Sequence, residues 1–138
     1  MKVTIQEAPG AQTELIIRCD RATEEVRRLA AMLDGRRVPA RSGDTVLLLE
    51  PAKILYCEYV DGGVFAYTAE GVYPARLTLT ELERDHGFFR CSKTMVVNLR
   101  AIDALKSGDC GRVIATVRSG EKLIISRRYA AALRDELL

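Results

Sequence analysis

From Asp44 onward the chain breaks into short runs rich in Val, Ile, Leu, Tyr and Phe, separated by glycine-bearing turns at the spacing of about eight to twelve residues that marks all-β architecture. Long helices have no room there, so this segment is predicted to be mainly β. The candidate strands are 45–49, 54–60, 64–68, 72–77, 95–97, 112–117 and 122–126. Asp61-Gly62-Gly63, Glu70-Gly71 and Ser119-Gly120-Glu121 supply turns, since glycine takes the positive φ that two-residue hairpin loops need. Two helices interrupt the strands. Residues 78–85 open with the capping-box pair Thr78 and Glu81 and place Leu79 and Leu82 on one face. Residues 127–137 carry Tyr129, Ala132, Leu133 and Leu137 along one side. The stretch from Asn98 to Ala104 is ambiguous, and a helical turn ahead of a short strand fits it best.

Ahead of Asp44 the pattern differs. The runs 2–7 (KVTIQE) and 13–18 (TELIIR) read as a hairpin about Pro9-Gly10. Residues 20–33 set Val26, Leu29, Ala30 and Leu33 at helical spacing behind a cap at Asp20 or Thr23, and Asp34-Gly35 ends that helix. A polar link containing Pro39 follows over 36–43. The expected organisation is therefore a strand-strand-helix extension over 1–43, serving dimerisation or regulation, ahead of a β domain over 44–138.

Composition removes most chemical classes. The chain has 138 residues, about one domain's worth, and no apolar run approaches the roughly 20 residues of a bilayer span. With no charged and apolar leader at its start, it is expected in the cytoplasm. Its four cysteines are scattered, so no zinc knuckle or CxxC redox pair can form locally, and His86 is the single histidine. No phosphate-binding glycine loop or GxSxG elbow occurs. Glu81 and Glu83, two apart on a short helix, point different ways. No enzymatic activity, metal, cofactor or small-molecule substrate is expected.

Charge is distributed unevenly. Residues 41–85 hold 4 basic and 8 acidic side chains, whereas 86–138 hold 10 basic and 5 acidic ones, a swing from −4 to +5. A basic half of this kind suits a polyanion. Within it, Gly87 to Asn98 (GFFRCSKTMVVN) sets Arg90, Ser92, Lys93 and Thr94 between aromatic anchors and an apolar strand. Such hydroxyls and cations contact phosphate oxygens, and arginine or lysine can donate to guanine in the major groove. A second cluster, Ser126, Arg127, Arg128 and Tyr129, stands at a strand-to-helix step, where N–H groups and arginines favour an anion. The scattered cysteines are expected to be free and mostly buried, and Cys91 to be an inert thiol, although Arg90 and Lys93 beside it would act to lower its pKa.

The order of ILYCEYVDGGVFAYT, YPARLTLTELE, FFRCSKTMVVNLRAI and SGEKLIISRRY resembles the LytTR DNA-binding domain family of bacterial transcription regulators of the LytR/AlgR type. The resemblance runs from about Asp44 to Leu138. It implies a LytTR-type multi-stranded β fold with short helices that binds double-stranded DNA through loops in successive major grooves, at promoter repeats and as a homodimer. By position, it assigns contacts to Arg90, Ser92, Lys93 and Thr94, then to Ser126, Arg127, Arg128 and Tyr129. It makes the turn from Asp61 to Val64 a third contacting loop through Gly63 and Val64. Phe89 and Asn98 then serve the fold, Asn98 by bonding backbone. The chain departs from many relatives at Ser92, Lys93 and Thr94, where lysine lacks arginine's bidentate fork.

The residues ahead of Asp44 are too few for a phosphoacceptor receiver. The chain is similar in this to stand-alone regulators, for which the resemblance implies a small integral-membrane partner that holds the regulator inactive. The competing expectation is a protein-interaction module under such a partner's control, without direct DNA binding.

Overall fold

The computed structural model describes residues 2–137. Helix α1 (Glu24–Asp34) precedes ten strands and two further helices among these residues. In order they are β1 (Val38–Ser42), β2 (Thr45–Leu49), β3 (Ile54–Val60), β4 (Gly63–Thr68), β5 (Val72–Ala75), α2 (Leu79–His86), β6 (Phe89–Ser92), β7 (Met95–Val97), β8 (Ile102–Ser107), β9 (Val113–Val117), β10 (Lys122–Ile125) and α3 (Arg127–Leu137). Seven strands form one antiparallel sheet in the order β2-β1-β5-β4-β3-β7-β6, and three form a second in the order β10-β9-β8. The mainly β expectation holds.

The strand β3 is buried along Ile54, Leu55, Tyr56 and Cys57, because the large sheet is covered on both faces at its centre. Leu55, Tyr56, Phe89, Cys91 and Val97 enter one core with Val113, Ala115, Leu123, Ile125 and Leu133 of the small sheet and α3. Ile54, Cys57, Phe88 and Val96 enter the other, beneath Leu79 and Leu82 of α2. A register shift between Ile54 and Tyr56 puts Ile54 and Cys57, three apart, on the same side. The neighbouring rings Phe88 and Phe89 therefore point into opposite cores.

Local signals act as their chemistry requires. The Thr78 hydroxyl accepts from Glu81 N–H at 3.1 Å while the Glu81 carboxylate accepts from Thr78 N–H at 3.2 Å, closing the capping box. The β3–β4 turn puts Asp61 and Gly62 at φ of 49° and 83°, a left-handed pair that suits the twist of a tight hairpin. Between β7 and β8 the backbone makes a 3-10 turn over Leu99–Ala101, the helical turn expected there.

Several expectations are corrected. The runs 2–7 and 13–18 form no strands. The turn about Pro9-Gly10 does form, with Ala11 N–H bonded to the Ala8 carbonyl at 3.0 Å, but the arms find no further strand or core to cover them. Val3 and Ile5 stay 81% and 90% exposed. Residues 36–43 are more than a link, since they contain β1, which pairs with β2 and β5 and buries Val38 and Ala40 completely. Pro39 is tolerated because β1 pairs only briefly with β5, about Ala40↔Ala75, where the Pro39 carbonyl still accepts from Arg76 N–H at 3.0 Å. The segment after Phe89, read as a loop, begins as β6, with Phe89 and Cys91 inward and Arg90 and Ser92 outward. Helix α1 starts after its Thr23 cap and turns Arg28, Leu29, Ala31 and Met32 toward the domain, leaving Ala30 and Leu33 exposed. Helix α3 buries Ala130 and Leu133, while Ala132 and Leu137 face solvent.

Candidate nucleic-acid interface

Three turns meet around β6 and β7. Strand β6 is an outer strand of the large sheet, and the turn Lys93-Thr94 joins it to β7. The Tyr59 N–H donates to the Thr94 carbonyl at 2.8 Å, which ties this turn to the end of β3 and hence to the Asp61-Gly62 turn. The Ser126 N–H donates to the Cys91 carbonyl at 2.8 Å, which fastens the start of α3 to β6. Two backbone bonds thus join segments 35 residues apart in the chain, since strand pairing brings distant sequence together.

At the β6–β7 turn, the Lys93 side chain is exposed and makes no hydrogen bond or ion pair among the described residues, whereas Thr94 N–H donates to Ser92 Oγ at 3.2 Å and stiffens the tip. Arg90 is held differently. Its Nε donates to Glu83 at 3.0 Å, Nη1 to the Lys93 carbonyl at 3.0 Å and Nη2 to Thr80 at 3.4 Å, with the side chain only 18% exposed. Its guanidinium braces the turn against α2. Glu83, set aside as a catalytic candidate, is the carboxylate that receives it.

At the α3 step, the Ser126 carbonyl accepts from Tyr129 and Ala130 N–H at 3.0 Å, making it the first turn's cap by backbone. Arg127 and Arg128 are exposed, and Arg128 lies with Cζ 5.3 Å from the Tyr129 ring centroid, a cation–π contact that limits its motion. The stem of Arg127 rests on the β8–β9 turn, where a Cβ on Gly111 would lie 3.0 Å from Arg127 Cγ. Together Arg127, Arg128, Ser126, Arg112 and Cys110 line an open cleft of about 570 Å³. Arg112 was not singled out by its sequence context. The glycines at 108 and 111 mark a turn, but nothing local shows that this turn lies beside α3.

Of the remaining expected residues, Gly63 and Val64 begin β4, and Val64 packs against the α2 side core, so the third turn offers backbone more than side chain. Phe89 is buried. Asn98 is buried and bonds backbone on three sides, donating through Nδ2 to Ile54 at 2.9 Å and Pro51 at 3.3 Å and accepting Arg100 N–H at 3.0 Å. Among the described residues no group of His, Cys, Asp and Glu is placed to hold a metal, and no helix is long and apolar enough to cross a membrane.

Cys91 is buried, as expected of an inert thiol, and its basic neighbours do not lower its pKa. Burial pushes the thiol up to about 12 and outweighs Arg90, whose charge is turned toward Glu83. Cys57 is likewise pushed up to about 12 by burial, while Cys19 and Cys110 are exposed. A thiol reagent at neutral pH is expected to label Cys19 and Cys110 rapidly and to reach Cys57 and Cys91 only after unfolding. Peptide mapping of a short labelling pulse checks this, and early modification of Cys91 would contradict the buried placement.

The chain is similar to several known proteins. Over 101 residues the chain is 29% identical to a response regulatory protein of Vibrio cholerae, covering 73% of this chain and 43% of that one. Over 135 residues it is 25% identical to the transcriptional regulatory protein BtsR of Escherichia coli, covering 96% of this chain and 56% of that one. The chain thus spans about half the length of these relatives. The solved LytTr DNA-binding domain of a Bacillus cereus response regulator superposes with a TM-score of 0.67 at 23% identity, over 75% of this chain and 98% of that one, which shows a shared fold. The sequence profile of the LytTr DNA-binding domain matches residues 44–138, well over half of the chain, and the chain therefore belongs to that family.

Proposed function

We propose that this chain is a sequence-specific double-stranded DNA-binding transcription regulator, acting in the cytoplasm as a homodimer on repeated half-sites. The observation that carries the reading is the pair of exposed basic turns, Lys93 on one and Arg127 with Arg128 on the other, held by the Ser126–Cys91 backbone bond. Rigid turns of this kind can enter a major groove without a recognition helix, because base edges need donors in fixed positions. Ser92 and Thr94 add hydroxyls for phosphate oxygens, and Arg112 extends the basic cleft along the backbone of the duplex. Arg90, committed to Glu83 and Thr80, supports the turn instead of reading bases. Family membership and the transcriptional role of relatives such as BtsR support the same reading. Within residues 1–43, the part ahead of β1 is assigned to dimerisation or regulation.

Fluorescence anisotropy with duplex from upstream of the gene, against scrambled duplex, across a salt series tests this. Neutralising about five to seven phosphates gives a slope of log K against log salt of about −5 to −6, at roughly −0.9 per phosphate. Tight binding to the cognate duplex with that slope is expected. Weak binding, equal for both duplexes, would overturn the reading.

A further inference from the structure

Helix α1 contains no buried residue, yet it is fastened to both elements of the basic surface. The Arg28 side chain, 18% exposed, lays its guanidinium over the Phe89 ring with Cζ 5.0 Å from the centroid. The same guanidinium forms an ion pair with Glu136, also 18% exposed, in the last turn of α3. Phe89 opens β6 and Glu136 closes α3, so one side chain bridges the base of the hairpin and the far end of the helix.

The backbone reinforces this seat. Gly87, at φ +76° just before Phe88 and Phe89, could not carry a Cβ, which would lie 2.9 Å from the Arg28 carbonyl oxygen and 2.5 Å from Met32 Cγ. Helix α1 therefore rests directly on the turn that leads into β6. Beyond the helix, His86 Nδ1 donates to the Arg36 carbonyl at 2.9 Å, which fixes the proton on Nδ1 because a carbonyl can only accept.

We infer that Arg28 is a positioning residue for DNA binding, through which α1 sets the spacing between the Lys93 turn and the Arg127–Arg128 step. This rests on the DNA-binding reading above. The Arg28 guanidinium is committed to Phe89 and Glu136 and its side chain is only 18% exposed, so it acts on the interface without touching the duplex. A half-buried pair of this kind is screened little by salt, and it adds to the Ser126–Cys91 bond and the shared core of Phe89, Cys91, Ala130 and Leu133 that already join β6 to α3.

The test is Arg28→Met, which keeps the stem and removes the charge, measured with cognate duplex at a temperature where far-UV circular dichroism shows the variant folded. Affinity is expected to fall about two- to thirtyfold, the range for residues that couple to a site without contacting its ligand, with the salt slope unchanged. An unchanged Kd, or a slope reduced by about one, would overturn the inference, the first showing a purely structural role and the second a direct phosphate contact. Should Arg28→Met fail to fold, Glu136→Gln removes the same ion pair from the other side and must weaken binding likewise. The amide NMR shifts of Thr94 and Ser126 in the free protein give a readout that needs no DNA. They are expected to move in either variant, and static shifts would overturn the positioning role. Absence of DNA binding by the unaltered chain would instead count against the regulator reading.

Discussion

Leu133→Ala is expected to destabilise the fold by about 2–5 kcal/mol, the range for emptying a fully buried leucine site. Leu133 is 0% exposed and packs from α3 into the core shared by Phe89, Cys91, Val113 and Ile125. The neighbours come from β6, β9 and β10, whose backbones are fixed by ladders, so they cannot collapse into the space left behind. The loss combines the transfer free energy of the removed carbons with the cavity's lost dispersion contacts. Urea unfolding followed by circular dichroism measures it. Leu137→Ala, on the same helix but 40% exposed, serves as the control and is expected to stay within about 0.5 kcal/mol. A midpoint for Leu133→Ala as close to the parent would show that α3 does not depend on this seat. Because α3 carries Arg127 and Arg128 at its other end, the same variant is expected to lose part of its DNA affinity even where it remains folded.

Reversing Arg127 and Arg128 together to glutamate is expected to weaken binding to cognate duplex by about a hundredfold or more at physiological salt. A lost arginine contact to a base is worth about 1–3 kcal/mol, and each lost phosphate contact also removes roughly 0.9 from the salt slope. The two side chains are exposed, and neither enters a core, so the fold should survive. Separate alanine variants then sort their roles. If Arg128, steadied over Tyr129, reads a base, Arg128→Ala compresses the difference between cognate and scrambled duplex. If Arg127, resting on the β8–β9 turn, meets phosphate, Arg127→Ala weakens both duplexes alike. Binding that survives the double reversal would remove the α3 step from the interface.

What could be read from the sequence was whatever repeats at short range. Alternation and glycine turns marked β2, β3, β7 and β10, and the Thr78–Glu81 pair marked α2, because these signals act within a few residues and are completed there. Asn98 could be assigned to backbone bonding through its resemblance to the family, and its three bonds follow. What the sequence could not disclose depended on partners far along the chain. The apolar runs 2–7 and 13–18 had strand character but no strand to join, whereas 38–42, discounted for Pro39, became β1 because β2 and β5 were there to receive it. Arg90 looked free until α2 brought Glu83 to it, and the inertness expected of Cys91 rests on the core that closes over its sulfur.

The sequence by itself therefore determined the strands with local turns, the capped helix and the basic character of the second half. Only the tertiary structure decided which arginines remain exposed, that Arg112 joins Arg127 and Arg128 in one cleft, and that Arg28 spans Phe89 and Glu136. The physical reason is range: propensity and capping are settled by neighbours in the chain, while burial and ion pairing are settled by whichever surface the folded sheet brings opposite.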